Sequence, residues 1–195
     1  MKRAFDIIFS FFGLLALFPF FLLIGIWILI DSPGGIFYRQ TRVGRNNRDF
    51  RLWKFRSMGP DSDKKGLLTV GGRDPRITNS GYFIRKYKID ELPQLINVLT
   101  GDMSFVGPRP EVRKYVDLYN EEQKRVLLVR PGITDIASLE YFEENELLGK
   151  SSDPERTYID EIMPAKLKLN LQYIDKANLG TDLSMIFKTI ARIFK

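Results

Sequence analysis

Residues 7–30, IIFSFFGLLALFPFFLLIGIWILI, form a run of 24 residues without one charged side chain. A helix of that length can cross a hydrocarbon core about 30 Å thick. A secretory signal has a shorter apolar region, about 7–15 residues, and ends at a small-residue cleavage site. This run ends instead in Asp31-Ser32-Pro33-Gly34-Gly35, a turn. Pro19 stands at its middle and divides it into arms of about a dozen residues, each about 18 Å long at helical rise and too short to span alone. Lys2 and Arg3 precede the run and a basic stretch follows it, so both flanks read as cytoplasmic under the positive-inside bias. Two placements are open. One is a simple span; the other is a re-entrant hairpin that enters, breaks at Pro19 and leaves on the same face. The hairpin answers both the charge and the proline, at the cost of freed backbone carbonyls at depth. Either placement puts the chain in a membrane.

The remaining length suits one compact domain, so the division is 1–30 as the membrane segment and 31–195 as a domain at its surface. The chain has no cysteine and no histidine, which removes disulfides, thiolate metal sites, the usual neutral-pH base and the commonest zinc ligand. Chemistry must rest on carboxylates, Lys, Arg, hydroxyls and a hard, oxygen-binding cation. The net charge of +6 is concentrated. Arg39, Arg42, Arg45, Arg48, Arg51, Lys54 and Arg56 face a single acid, Asp49, whereas residues 57–195 are balanced. Such a patch favours anionic lipid headgroups, nucleic acid or a pyrophosphate.

The expected fold is α+β, predominantly helical with a few short strands. Residues 36–57 read as two strands around a turn at Gly44 through Asn47. Residues 59–79, with Pro60, Gly66, Gly71-Gly72 and Asp74-Pro75, read as an irregular loop, and a short helix follows from Asn79-Ser80 to Tyr87. Asp90 suits the N-cap of a helix that closes at Gly101, with Pro93 tolerated in its first turn. Ser104 through Pro110 reads as a stiff connector, 111–128 as a polar helix, and Arg130-Pro131-Gly132 as a type II turn. Glu140, Glu143, Glu144 and Glu146 read as a solvated helical face. The last helix, about 182–194, gathers Leu183, Ile186, Phe187, Ile190 and Phe194 on one side. Lys188, Arg192 and Lys195 lie off that stripe, as in a core-packed or an amphipathic interfacial helix.

Asp90-Glu91 is the pair best suited to chemistry. A capping aspartate normally accepts from the N2 or N3 amide, and a proline at N3 has none to give. The positive helix end keeps such a carboxylate ionised and attracts phosphate. An ionised carboxylate beside a phosphate can act as a nucleophile and form an acyl phosphate. The adjoining Glu91 can help hold Mg²⁺, which screens two anions from each other. Arg109, fixed between Pro108 and Pro110, is a candidate bidentate phosphate clamp. A helix cap for Asp90 and a surface ion pair for Arg109 are the ordinary roles of such residues.

Together these residues resemble the bacterial sugar transferase family, the monotopic phosphoglycosyl transferases. The resemblance runs through Lys2-Arg3 with Asp6, the proline-bearing apolar segment, Lys54-Phe55-Arg56-Ser57-Met58 and Asp74-Pro75-Arg76-Ile77-Thr78. It continues through Arg85, Asp90-Glu91-Leu92-Pro93-Gln94, Gly101-Asp102-Met103-Ser104, Val106-Gly107-Pro108-Arg109-Pro110 and Arg130-Pro131-Gly132-Ile133-Thr134. It implies transfer of a sugar phosphate from a nucleotide-diphospho-sugar, a UDP-sugar, to polyprenyl (undecaprenyl) phosphate. The products would be polyprenyl-diphospho-sugar and UMP, the first membrane step of a glycoconjugate pathway. It further implies that Asp90 is the nucleophile and Glu91 its partner at Mg²⁺. Arg85 and Arg109, with Lys54, Arg56 and Arg130, would serve the phosphates and substrate. The implied placement is a re-entrant helix at the cytoplasmic face of the bacterial inner membrane, with the oligomeric state open. Family members break that helix at a Ser-Pro pair; here the pair is Phe18-Pro19. Many also carry Gly and a later Gln after Thr134, where this chain has Asp135 and Ser138. Larger members add spanning helices ahead of this unit, and these 195 residues contain none.

Two other readings compete. A membrane-tethered, non-catalytic module would use residues 39–56 to bind anionic lipid or nucleic acid, but leaves Asp90-Glu91 and Pro108-Arg109-Pro110 without purpose. For nucleic acid the basic run offers only Phe50, Trp53 and Phe55 for stacking, so that partner is not expected. A glycosyltransferase moving the bare sugar would release a nucleoside diphosphate.

Overall fold

The computed structural model describes residues 2–60, 62, 66, 68–71 and 74–194. Gly72 of the expected glycine pair and Lys195 of the final helix lie outside them. The described residues are mostly helical with a few short strands, the α+β class read from the sequence.

The apolar run is a single helix, α1 (Lys2–Asp31), long and apolar enough to cross a membrane. Its outer surface stays bare, with Phe12, Leu15, Leu23 and Ile30 all exposed. The sequence places a break at Pro19; the helix instead runs through it, with Pro19 inside. A proline there still removes the N–H that would serve the Leu15 carbonyl and favours a bend.

Charged groups at both ends of α1 bind the rest of the chain. At one end the Arg3 guanidinium donates to the Val98 and Leu99 carbonyls at 2.5 and 2.9 Å. These belong to the last turn of α3 (Gln94–Thr100), where helix carbonyls lack partners. Asp6, buried, accepts from Ser104 Oγ at 3.1 Å and the Phe105 amide at 3.2 Å. At the other end Asp31 accepts from the amide and hydroxyl of Ser80, both at 2.8 Å, at the start of α2 (Asn79–Lys86). Between these ends Ile24 and Ile28 pack on Phe55 and Ile84.

After α1 come β1 (Phe37–Val43) and β2 (Asp49–Phe55), antiparallel around a short turn at Arg45–Asn47, as read from the sequence. The far edge of β2 is served by a side chain instead of a strand. Asn97 of α3 accepts from the Trp53 amide and donates to the Arg51 carbonyl, each at 2.9 Å. The expected helix at 79–87 is α2, capped by Thr78, and Gly101 ends α3 with φ 98°.

Three expectations for 104–132 give way. Ser104–Val106 is a strand, β3, not a connector, and Gly132–Thr134 is a strand, β4, parallel to it. Gly132 therefore does not complete a type II turn. It is glycine because a Cβ there would meet the Gly107 amide nitrogen at 2.1 Å, and a Cβ on Gly107 would meet the Arg130 carbonyl at 2.4 Å. The polar helix expected at 111–128 divides into α4 (Arg113–Val116) and a 3₁₀ segment at Gln123–Leu128. Asn120 and Gln123 exchange amide bonds between them, a local arrangement that competes with helix propagation.

The acidic stretch forms the end of α5 (Ile136–Glu140) and α6 (Glu144–Gly149), solvated except for Glu144, which pairs with Lys166 at 2.5 Å. α7 (Pro154–Thr157) leads through a π-helical turn at Tyr158–Ile162 into α8 (Met163–Lys176). Pro164 would clash with a normally placed Asp160 carbonyl, and the wider turn relieves this. The final helix, α9 (Leu179–Ile193), begins earlier than expected, at an Asn178–Thr181 capping box. Its apolar stripe is not a core face. Leu183, Phe187, Ile190 and Phe194 are exposed, and only Ile186 of the stripe packs with the β3–α8–α9 core around Val106, Tyr173 and Met185.

The Gly107–Gly132 contact yields a direct expectation. Gly107→Ala should lower stability by about 1–3 kcal/mol or prevent folding, because backbone rather than a flexible side chain stands in the way. Gly35→Ala, whose Cβ would meet nothing nearer than 3.7 Å, should change it by less than about 0.5 kcal/mol. Unfolding of detergent-solubilised protein in denaturant measures both.

Candidate active site

Asp90 and Glu91 lie in a 3₁₀ turn at Ile89–Glu91, immediately before α3. The sequence makes Asp90 a helix N-cap; the structure places it one step later. The chain reverses at Lys88, in left-handed backbone with φ 55°, and the turn begins at Ile89. Asp90 is thus inside the turn with no side-chain cap bond. It is free to face two adjoining cavities, one of about 410 Å³ and one of about 320 Å³.

Three elements converge on this pair. β2 presents Lys54, whose ammonium lies 3.2 Å from Glu91 and 3.7 Å from Asp90. The segment after β3 presents Arg109, whose guanidinium engages both oxygens of Glu91. That segment is held by the Gly107 amide on the Thr134 carbonyl and the Gly132 amide on the Pro108 carbonyl, both at 3.1 Å. α2 presents Arg85, which donates to Thr69 Oγ1 at 3.1 Å. Lys54, Arg85, Asp90 and Arg109 line both cavities.

The electrostatics follow from this packing. Burial alone would raise the Glu91 carboxyl, but Arg109 and then Lys54 outweigh it and hold it well below the usual carboxylate range. The same carboxylate lifts the Arg109 guanidinium above its ordinary value. Burial pushes the Lys54 ammonium down, against the pull of Glu91 and Asp90. Glu91 is therefore an ionised carboxylate that fixes two cations beside Asp90.

The other expected site residues are placed differently. Arg56 lines the 320 Å³ cavity, but its guanidinium donates to the Ile28, Ser32 and Pro33 carbonyls, closing the end of α1. Arg130 lines neither cavity and donates to the Gly101 carbonyl at 2.9 Å. Of the basic stretch, Arg42 turns inward to Glu111 at 2.9 Å, while Arg39, Arg45, Arg48 and Arg51 are exposed. Arg76 gathers the 59–78 loop, forking onto Asp74 and donating to the Gly66 and Leu68 carbonyls at 2.6 Å each.

Sequence reasoning missed two groups. Asp135 noted only as a departure from family members, is 0% exposed; it accepts from the Arg109 amide at 2.8 Å, Asn170 Nδ2 at 3.0 Å and the Ser138 amide at 2.5 Å. It thereby anchors the Arg109 segment to α5 and α8. The second is a chain under the smaller cavity, in which Tyr158 from the π-helical turn donates to Glu111 and Lys166 lies 5.7 Å from its ring centroid. Burial and Glu111 push the Tyr158 phenol up, so it stays a donor. The sequence signal for this chain was Pro164, which forces the π-helical turn.

The two cavities differ in kind. The larger has apolar walls from Leu92, Leu95, Phe105, Ile133, Leu139 and Phe142, with Ile186, Ile190 and Ile193 of α9 closing one side. The smaller mixes Tyr38, Gln40, Arg42, Ser57, Ser62 and Arg76 with apolar walls from Phe55, Leu68, Val112 and Leu148. Among the described residues no three carboxylates gather at one point. Mg²⁺ commonly takes one or two carboxylates plus substrate phosphates, and among the described residues Asp90 and Glu91 are the one adjoining pair of carboxylates that lines a cavity. Asp90 is the less committed of the two, since both oxygens of Glu91 are engaged.

A family model described as bacterial sugar transferase matches residues 1–195. The UDP-N-acetylgalactosamine-undecaprenyl-phosphate N-acetylgalactosaminephosphotransferase of Aeromonas hydrophila is 38% identical over 196 residues, 99% of this chain and 43% of that protein. The UDP-glucose:undecaprenyl-phosphate glucose-1-phosphate transferase of Escherichia coli (strain K12) is 34% identical over 197 residues, 100% of this chain and 40% of that protein. The exopolysaccharide production protein PSS of Rhizobium leguminosarum bv. phaseoli is 37% identical over 198 residues, 97% of this chain and 93% of that protein. The chain thus spans less than half the length of the first two relatives and nearly all of the third.

The Glu91 pairing predicts a pH signature. A carboxyl held low in the folded protein adds stability above its unfolded pKa, and that contribution is lost as pH falls toward the folded value. Glu91→Gln should cost about 1–3 kcal/mol near neutrality, less than for a fully buried pair because Arg109 is partly solvated. It should also flatten the acid-side loss of stability seen in wild type. Denaturant unfolding of both proteins across the acid range measures this.

Proposed function

The chain belongs to the bacterial sugar transferase family, and on that premise we propose that it moves a sugar phosphate from a UDP-sugar to polyprenyl phosphate, releasing UMP. The observation that carries this reading is the convergence of a more apolar cavity and a more polar one on Asp90, Lys54, Arg85 and Arg109. A nucleotide diphosphate sugar suits the polar side, where arginines and hydroxyls line the wall. An isoprenoid suits the apolar side, which is continuous with the exposed stripe of α9. Their phosphates meet between the cations.

The chemistry then divides into two displacements. A carboxylate oxygen of Asp90 attacks the sugar-bearing phosphorus, and the bond from that phosphorus to the bridging oxygen breaks, so UMP departs with both electrons. A phosphate oxygen of the acceptor next attacks the same phosphorus and frees the Asp90 carboxylate. Arg109, locked by Glu91 and Asp135, and Arg85 stabilise the charge that builds on the phosphoryl oxygens. Mg²⁺ held by Asp90 and Glu91 would offset the charge of the diphosphate. Enzyme incubated with UDP-sugar alone should carry a sugar-phosphate adduct visible by intact-protein mass spectrometry, absent from Asp90→Asn. No adduct on wild type with any UDP-sugar, together with initial rates that demand a ternary complex, would reduce Asp90 to a metal ligand.

The same proposal includes a re-entrant placement of α1 at the cytoplasmic face of a bacterial membrane. It is supported by the positive flanks, by Pro19, and by polar bonds from both ends of α1 to one body. Cysteines introduced near residue 2 and near residue 35 should be equally shielded from an impermeant external thiol reagent. Labelling of one alone marks a simple span.

A further inference from the structure

Two cations that the two displacements do not use stand at the larger cavity, Lys88 in its wall and Arg192 beside it. Lys88, two residues before Asp90, lines that cavity, as does Phe142. Its ammonium lies 5.3 Å from the centroid of the Phe142 ring, and the Arg192 guanidinium of α9 lies 5.2 Å from the same centroid. Among the described residues neither cation has a carboxylate within ion-pairing distance, and Lys88 acts on Glu91 only from farther off. Two like charges drawn to one ring repel each other, and a ring face at a partly solvated site returns little. An anion within reach of both would offset the repulsion. Lys88 moreover holds left-handed backbone at φ 55°, a conformation that asparagine adopts more readily than lysine.

The anion's source follows from the surroundings. Ile190 and Ile193 of α9 line the cavity next to Arg192, while Phe187 and Phe194 are 68% and 77% exposed on the same helix. A charged head reaching Lys88 and Arg192 from that side carries an apolar tail along α9. We propose that Lys88, Arg192 and Phe142 form a receiving site for the phosphate of a polyprenyl phosphate, engaged before that phosphate reaches Asp90 and separate from the Arg85–Arg109 cluster. This rests on the reading of the larger cavity as the acceptor's side.

The test uses the full chain in detergent and measures binding of farnesyl phosphate, farnesol, inorganic phosphate and UMP by calorimetry. Wild type should bind farnesyl phosphate more tightly than either farnesol or inorganic phosphate. Lys88→Asn, which suits the left-handed backbone, and Arg192→Gln, at an exposed position, should each weaken farnesyl phosphate about tenfold and leave farnesol and UMP unchanged. In turnover assays Arg192→Gln should raise KM for the acceptor with the Asp90 half-reaction unaltered. Unchanged farnesyl phosphate affinity in both variants, or equal losses for farnesol, overturns the proposal, as does inorganic phosphate binding as tightly as the lipid. Should wild type transfer nothing from any UDP-sugar, the functional reading fails, while the farnesyl phosphate comparison still decides this site.

Discussion

The structure depends on charge placed at both ends of an apolar helix. Lys2, Arg3 and Asp6 at one end of α1, and Asp31 at the other, all bond to the same body. Each bond answers a backbone need there. Arg3 satisfies the spent carbonyls of α3, Asp6 the amide of β3, and Asp31 the open start of α2. The elements that frame Asp90 are thus held in register by a helix whose outer surface offers nothing to water. Apolar packing alone would let α1 slide or rotate; the charged ends fix both.

Within that frame the site is a problem of holding cations close together. Lys54 and Arg109 approach because Glu91 lies between them, and Arg109 cannot retreat because its amide is bound to Asp135. Such an array is preorganised: the charges are gathered before a phosphate arrives, and little reorganisation remains when charge develops. Asp90, spared from capping by the left-handed residue ahead of it, keeps a carboxylate available.

Much of this was legible in the sequence wherever a residue had one dominant reason for its place. The apolar run, the hairpin around Gly44–Asn47, the α2 start at Asn79 and the Gly101 stop follow from local patterning, and all stand in the structure. Asp90, Glu91, Arg85, Arg109 and Lys54 could be picked out and are brought together. The rest depended on distant partners. Gly132 reads as a turn residue until Gly107 is seen against it, and Asn97 reads as a helix residue until β2 lacks a strand. Arg56 carries the same charge as Arg109, and nothing local says that it closes a helix instead of facing a cavity. Asp135 is buried among groups from three elements, and no periodicity encodes that.

The bond between Lys2 and Tyr173 joins residues 171 positions apart. At ribosomal speeds of about 5–20 residues per second, roughly ten to thirty seconds separate the making of the two. Through that interval the partners of α1 are made one after another: Ser80 for Asp31, Val98 and Leu99 for Arg3, Ser104 for Asp6, and then Val106 and finally Tyr173 and Asp182 for Lys2. The Lys2 bonds to Tyr173 and Asp182 are the last of these to become possible, because they wait on the α8–α9 corner. Loss of α8 and α9 would therefore loosen Lys2 alone and leave Arg3, Asp6 and Asp31 their partners, an order in time that the finished structure holds only as distance along the chain.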